Sequence, residues 1–402
     1  MRVQRRKRPI NGRMFAVSAV MVLGAAMLSG LFYTMPVLSD AMRRAAVVSV
    51  AVAMPDISLD LFEERLRTQI YGGEIPGVIH ESTPFLPAPE PLPADPPVDI
   101  PPQNPLLPEI HAPSMPAPAA PQNPVRIPRV PERYAAPIIN ENFAGRDGGG
   151  MLRHDNIFIR NETDLSPDGV LDILEEPMPL EFHADGRPQV LIVHTHATES
   201  YERYDSEFYD IRNTWRSTDN NINVVALGTV MRDVLEEYGI GVIHDTTQHD
   251  FPSYNGSYER AARTIKGYLE DYNDIQVVLD LHRDAMPRGD AIIKPVTMVG
   301  DRKAAQIMII SGSDNGSLNM PNWRDNFRFA AAFQSYMEME ARELTRPIYL
   351  SHRRYNMDIT TGSLLVEIGS NANTLEEAKL SAELAAHALA ALIIENSTAA
   401  SP

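Results

Sequence analysis

"VLIVHTHATESY", from Val190 to Tyr201, sets four apolar residues directly before two histidines, two threonines and Glu199. A short apolar run bounded by polar residues reads as a buried strand. The polar cluster then sits on that strand's carboxyl end. The pattern recurs twice. "VVLDLHRDA" (277–285) carries Asp280, His282, Arg283 and Asp284 at its end, and "LLVEIGSN" (364–371) carries Glu367. "IGVIHD" and "AAQIMIISG" read as further strands. Between them, Val224, Leu227, Met231, Val234, Leu235 and Tyr238 share a helical face that Gly239 stops. "SYERAARTIKGYLEDY", about 324–345, and 374–395 read as helices. Strands that alternate with helices and are apolar on both sides predict an α/β fold, a mostly parallel sheet flanked by helices on both faces. In such sheets ligands bind beyond the carboxyl ends of the strands. His194, His196, Glu199, His282, Arg283 and Glu367 are therefore expected on one rim.

Two neutral imidazoles and a carboxylate suit Zn²⁺ with one position left for water. The chain has no cysteine, so thiolate sites and disulfides are excluded and any metal must rest on His, Asp or Glu. A carboxylate inside an apolar strand is expected to hold its proton more tightly, which suits Glu367 to general-base work. The bland readings stand beside these. A histidine at a strand end is commonly just hydrogen-bonded. Asp280 can orient a histidine or pair with Arg283 or Arg288. Arg283 can bind a substrate carboxylate or the carbonyl oxygen, or form a structural ion pair. His244 and His249 read as structural or substrate-side.

The remaining 402-residue chain divides by composition. Residues 1–13 hold six Lys or Arg and no acid, and 14–33 are twenty residues without a charge. A helix of that length matches the roughly 30 Å hydrocarbon core, so a single transmembrane helix with a basic cytoplasmic tail is expected. The rest, including the catalytic domain, is then extracytoplasmic and tethered to the cell membrane. Residues 34–75 read as a juxtamembrane stalk. Residues 76–137 hold 20 of the 33 prolines and read as an extended linker. Residues 138–187 are a mixed pre-domain segment in which "LSPDGVLDILEEP" reads as a short capped helix, and 188–398 form the catalytic domain. A net charge of −17 argues against nucleic acid as a partner.

"HTHATESY", "HDTTQHDFPSYNGSYERA", "DLHRDA", "PNWRDNFRFA", "RYN" (354–356) and "LLVEIGSNANTLEEA" occur in that order. Together they resemble the stage II sporulation protein P family of cell-wall hydrolases over about residues 188–395. The resemblance implies a zinc-dependent N-acetylmuramoyl-L-alanine amidase acting on peptidoglycan. It also implies endopeptidase cleavage of cross-links, and work beside stage II sporulation proteins D and M during engulfment. It implies a zinc amidase-like fold in which His196 and His282 are metal ligands and Glu367 is the base. Where zinc amidases carry a glutamate ligand near the first helix, this chain has Asn220, Asn221 and Asn223. That leaves Glu199 or His194 as the third ligand. After Arg354-Tyr355-Asn356 the family usually continues Gln-His-Leu, whereas Met357-Asp358-Ile359 follows here. The alternative is a catalytically silent module that tethers a membrane complex to peptidoglycan. A metal-dependent carboxypeptidase or deacetylase is a third class, separable by its products.

Overall fold

The computed structural model describes residues 129–147 and 150–398. The expected membrane span, stalk and most of the Pro-rich linker lie outside the described residues. Among the described residues no helix is long and apolar enough to cross a membrane.

In chain order the strands are β1 (Ala135–Glu141), β2 (Leu152–His154), β3 (Ile157–Glu162), β4 (Phe182–His183), β5 (Pro188–Val193), β6 (Phe208–Asp210), β7 (Gly241–His244) and β8 (Val277–Asp284). There follow β9 (Pro287–Arg288), β10 (Ala291–Val299), β11 (Arg302–Ala305), β12 (Ile307–Gly312), β13 (Ile348–Ser351), β14 (Ser363–Ser370) and β15 (Ser397–Thr398). The helices are α1 (Pro167–Leu174), α2 (Val225–Glu237), α3 (Ser257–Asp271), α4 (Trp323–Glu340) and α5 (Leu375–Glu395).

The main sheet runs β2-β3-β13-β12-β14-β8-β5-β7. Its pairs are parallel except β2 with β3 and β12 with β14. The sheet is thus mostly parallel, as expected, with two antiparallel pairs that make it mixed. β5, β8 and β14 run side by side in the same direction, which brings their carboxyl ends to one rim. Residues alternate faces along β5. Ile192 joins a core with Leu227 and Met231 of α2, while Leu191 and Val193 join Ile265 of α3 on the other face. Burying each such side chain is worth roughly 1.5–3 kcal/mol, which holds β5 in the sheet's interior.

Strands from residues 138–187, read from sequence as a segment ahead of the domain, and from the last residues of the linker pair with strands of the domain. β3 pairs with β13, and β1 lies between β10 and β6 in a peripheral sheet. α1 forms where the capped helix is expected, with Ser166 accepting the Gly169 N–H. A buried lysine ties the peripheral sheet to the main body. Lys294 on β10 is fully buried, 2.8 Å from Asp205 and 3.2 Å from Glu377. Glu377 also closes the capping box of α5 with Thr374, so one carboxylate anchors both a helix start and a buried ammonium.

Candidate active site

The site is built where β5, β8 and β14 end. Asp280, odd in an apolar strand, is fully engaged. It accepts from the Thr195 amide (2.7 Å) and hydroxyl (2.6 Å), pinning the chain as it leaves β5. Two residues on, and so on the same face, His282 lies with Nε2 3.0 Å from Asp280 Oδ1. The approach is off-line for an N–H bond and Nε2 makes no well-aligned hydrogen bond, so we read the contact as electrostatic. On its other side His282 Nδ1 is 3.5 Å from Glu199 Oε2. Burial alone would lower the His282 pKa, but the Asp280 and then the Glu199 carboxylates outweigh it and hold it well above the ordinary value. Burial would likewise raise Glu199, yet Arg283, His282 and Arg216 keep it well below the usual carboxylate range.

His196 completes this group. Its ring centroid is 5.2 Å from that of His282, at 88°. Burial, opposed by Glu199 and helped by His282 and Arg216, lowers its pKa to about 3, so it is a neutral imidazole. Its Nδ1 is buried with no hydrogen-bond partner, an arrangement that is costly unless something else fills it. Glu367 on β14 is the registered neighbour of His282 on β8, so its carboxylate starts from the same face of the sheet.

The other two expected site residues are placed differently. His194 turns to the α2 face. Its Nε2 is 2.9 Å from His244 Nε2 and its Nδ1 3.3 Å from the Leu281 carbonyl. Gly228 on α2 makes room for this pair, since a Cβ there would stand 2.3 Å from His244 Nε2 and 2.7 Å from His194 Nε2. Arg283 is buried, and its guanidinium donates to the carbonyls of Ser200, Trp215 and Asp284, while its amide donates to Glu199. It staples the loop after β5 rather than facing a ligand. His249 is bonded to the His194 carbonyl and Thr264.

Sequence reasoning passed over three neighbours. Tyr254 stacks on His196 (centroids 4.5 Å apart, 8°), and its hydroxyl oxygen lies 3.0 Å from Nε2. With the rings parallel, we take this as a stacking contact more than an in-plane hydrogen bond. Tyr258 packs against both imidazoles. Arg216 lies over Tyr254, 3.0 Å from Asp250 and 3.6 Å from Glu199. The one signal available was the four-residue spacing of the tyrosines, which puts Tyr254 in the turn just before α3 and Tyr258 on its first turn.

The donor types fit zinc. Imidazole nitrogen and carboxylate oxygen bind it at about 2.0–2.2 Å, which sets tetrahedral ligands about 3.3 Å apart. The 3.5 Å gap between His282 Nδ1 and Glu199 Oε2 is close to that, and the orphaned His196 Nδ1 is a third donor of the right kind. Among the described residues, however, no three His, Asp or Glu groups already close on a common point.

A family model for stage II sporulation protein P matches residues 157–390, more than half of the chain. The chain belongs to the stage II sporulation protein P family. The stage II sporulation protein P of Bacillus subtilis (strain 168) is 26% identical over 208 residues, 49% of this chain and 49% of that protein. This chain therefore spans about half the length of the curated family member it matches. Among solved structures, the CwlD amidase from Clostridioides difficile, in complex with the GerS lipoprotein, aligns over 52% of this chain and 98% of its own, at 12% identity and a TM-score of 0.33. The N-acetylmuramoyl-L-alanine amidase AmiC2 of Nostoc punctiforme aligns over 52% and 96%, at 13% identity and a TM-score of 0.31.

Proposed function

We propose that this member of the stage II sporulation protein P family is a membrane-anchored peptidoglycan hydrolase. It cleaves the amide between N-acetylmuramic acid and the L-alanine of the stem peptide, in sporulation. The observation that carries this reading is the buried group formed by His196, His282 and Glu199, with Glu367 on β14 in register beside His282. A structural tether has no need of an unpartnered buried imidazole nitrogen beside two carboxylates, and this weighs against the silent module.

His196, His282 and Glu199 would hold zinc, which when bound supplies a Lewis acid and a water acidic enough to lose its proton near neutral pH. Asp280 fixes the orientation of His282. Glu367 takes a proton from the attacking water as its oxygen bonds to the amide carbon. It returns that proton to the alanine nitrogen as the C–N bond breaks. Arg283 keeps Glu199 and the loop after β5 in place. The basic tail and apolar span at 1–33 anchor the enzyme, with its catalytic domain outside the membrane. Stage II sporulation proteins D and M are the partners the family suggests.

The test is digestion of purified sacculi by the full chain in detergent, with zinc and after chelation. Mass spectrometry should find glycan strands stripped of peptide and stem peptides with a new alanine amine, only with metal. Peptides cut at cross-links in the same digest would reveal the endopeptidase activity. Release of acetate, or of single terminal amino acids, would sink the amidase reading.

A further inference from the structure

Hydrolysis of an amide needs more than a base. The carbonyl oxygen gains negative charge at the transition state, and preorganised hydrogen-bond donors aimed at it are usually a large part of the rate. Arg283, for which the sequence left open a donor's role or a structural one, is tied to three backbone carbonyls. Arg216 is paired with Asp250 and Glu199.

Tyr258, on the first turn of α3, is placed differently. Its ring centroid is 5.4 Å from that of His196 and 6.5 Å from that of His282, and it stacks on Tyr355 at 5.3 Å. Other tyrosine hydroxyls in the fold bind protein: Tyr201 donates to Ile368, Tyr209 to Asp290, Tyr336 to Glu395, and Tyr238 meets His387. The Tyr258 hydroxyl has no hydrogen-bond partner among the described residues, and the side chain is only half-buried. A half-buried phenol packed on both imidazoles, with its hydroxyl uncommitted, is a donor kept for a ligand.

We propose that Tyr258 is a catalytic residue whose hydroxyl donates a hydrogen bond to the carbonyl oxygen of the scissile amide as that oxygen gains charge. This rests on the hydrolase reading above. The bond strengthens as the C=O double bond becomes C–O⁻ and weakens again when the C–N bond breaks, and no proton is transferred from Tyr258.

The test is Tyr258→Phe in the full chain, which removes one oxygen and keeps the ring packing. If the wild type with zinc does not cleave sacculi, the hydrolase reading fails. If it does, Tyr258→Phe is expected to lower kcat about 10²–10³-fold, with KM within about threefold and zinc content and melting temperature unchanged. A phosphinate analogue of the amide, which puts anionic oxygen where charge develops, should lose affinity for the variant by a similar factor, while a non-cleavable substrate should not. A variant that keeps wild-type kcat, that changes KM alone, or that loses zinc would overturn the proposal. Because phosphinate binding is read without turnover, it separates a lost donor from a damaged fold.

Discussion

His194 and His196 stand two residues apart at the end of one strand, and both are buried. Burial lowers both pKa values to about 3. Their partners differ. His194 lies against α2 with both ring nitrogens engaged, by Leu281 and His244. His196 lies on the α3 side among Tyr254, Tyr258 and His282, with Nδ1 left over. A satisfied buried polar group is a structural element, whereas an unsatisfied one is a cost that function must explain. On that ground His196, and not His194, is the proposed ligand.

The sharpest way to break this comparison is to remove each histidine. His196→Ala is expected to lose zinc and to lower turnover at least ~10³-fold, with its melting temperature little changed in the metal-free state. His194→Ala should keep zinc and turnover within about tenfold, but lose roughly 1–3 kcal/mol of stability, since His244 then loses its partner inside the fold. Metal analysis, sacculus digestion and urea unfolding of both variants would decide it. The reverse pattern would move the ligand to His194.

A smaller effect is expected one step back from the metal. Asp280→Asn keeps the shape of the Thr195 contact but removes the charge facing His282. Zinc affinity, read by chelator competition, should fall about 10–100-fold. Unchanged affinity would show that Asp280 serves only the fold.

Much of this arrangement was legible in the sequence, for identifiable reasons. β5, β8 and β14 announce themselves as apolar runs, and their polar ends are visible because a carboxylate or imidazole there is unusual. α2, α3 and α5 follow from 3.6-residue spacing, from the Thr374 start of α5 and from the Gly239 stop after α2. Strand direction was not legible. An apolar run reads alike both ways, so the antiparallel β12 was hidden. β1, β3 and the peripheral sheet were missed because short strands of mixed polarity carry no period. Within the site, His194 was grouped with His196 because spacing cannot say which way a side chain turns once the chain leaves the strand. Tyr258 lay inside a helix read from its period and Tyr254 in the loop before it, and nothing in either position marked a site. The guanidinium of Arg283 looked available because its backbone partners, Ser200 and Trp215, are remote in sequence.

Gly228 tests the His194 side from the opposite wall. In Gly228→Ala, a methyl would meet both ring nitrogens at under 3.0 Å. Although alanine favours a helix, overpacking should win and cost about 1–3 kcal/mol. Zinc affinity should hold. A variant as stable as wild type would mean the histidine pair yields easily.

The smallest effect is the pH response of the His194–His244 pair. Burial, helped by Arg232, lowers His244 to about 4, and burial with His244 lowers His194 to about 3, against 6.5 for an unhindered imidazole. Below pH 6.5 the unfolded chain therefore binds protons that the folded chain refuses. Stability from the pair is fully present above pH 6.5 and is lost progressively as the pH falls towards 4 and then 3. Over the first unit below 6.5 the loss is on the order of 1 kcal/mol. His244→Gln should flatten this slope of urea midpoint against pH, measured without metal so that the His196 side does not contribute through ligand binding. An equally steep slope in His244→Gln would place the acid sensitivity elsewhere, and the two histidines at the end of β5 would then differ less than their contacts imply.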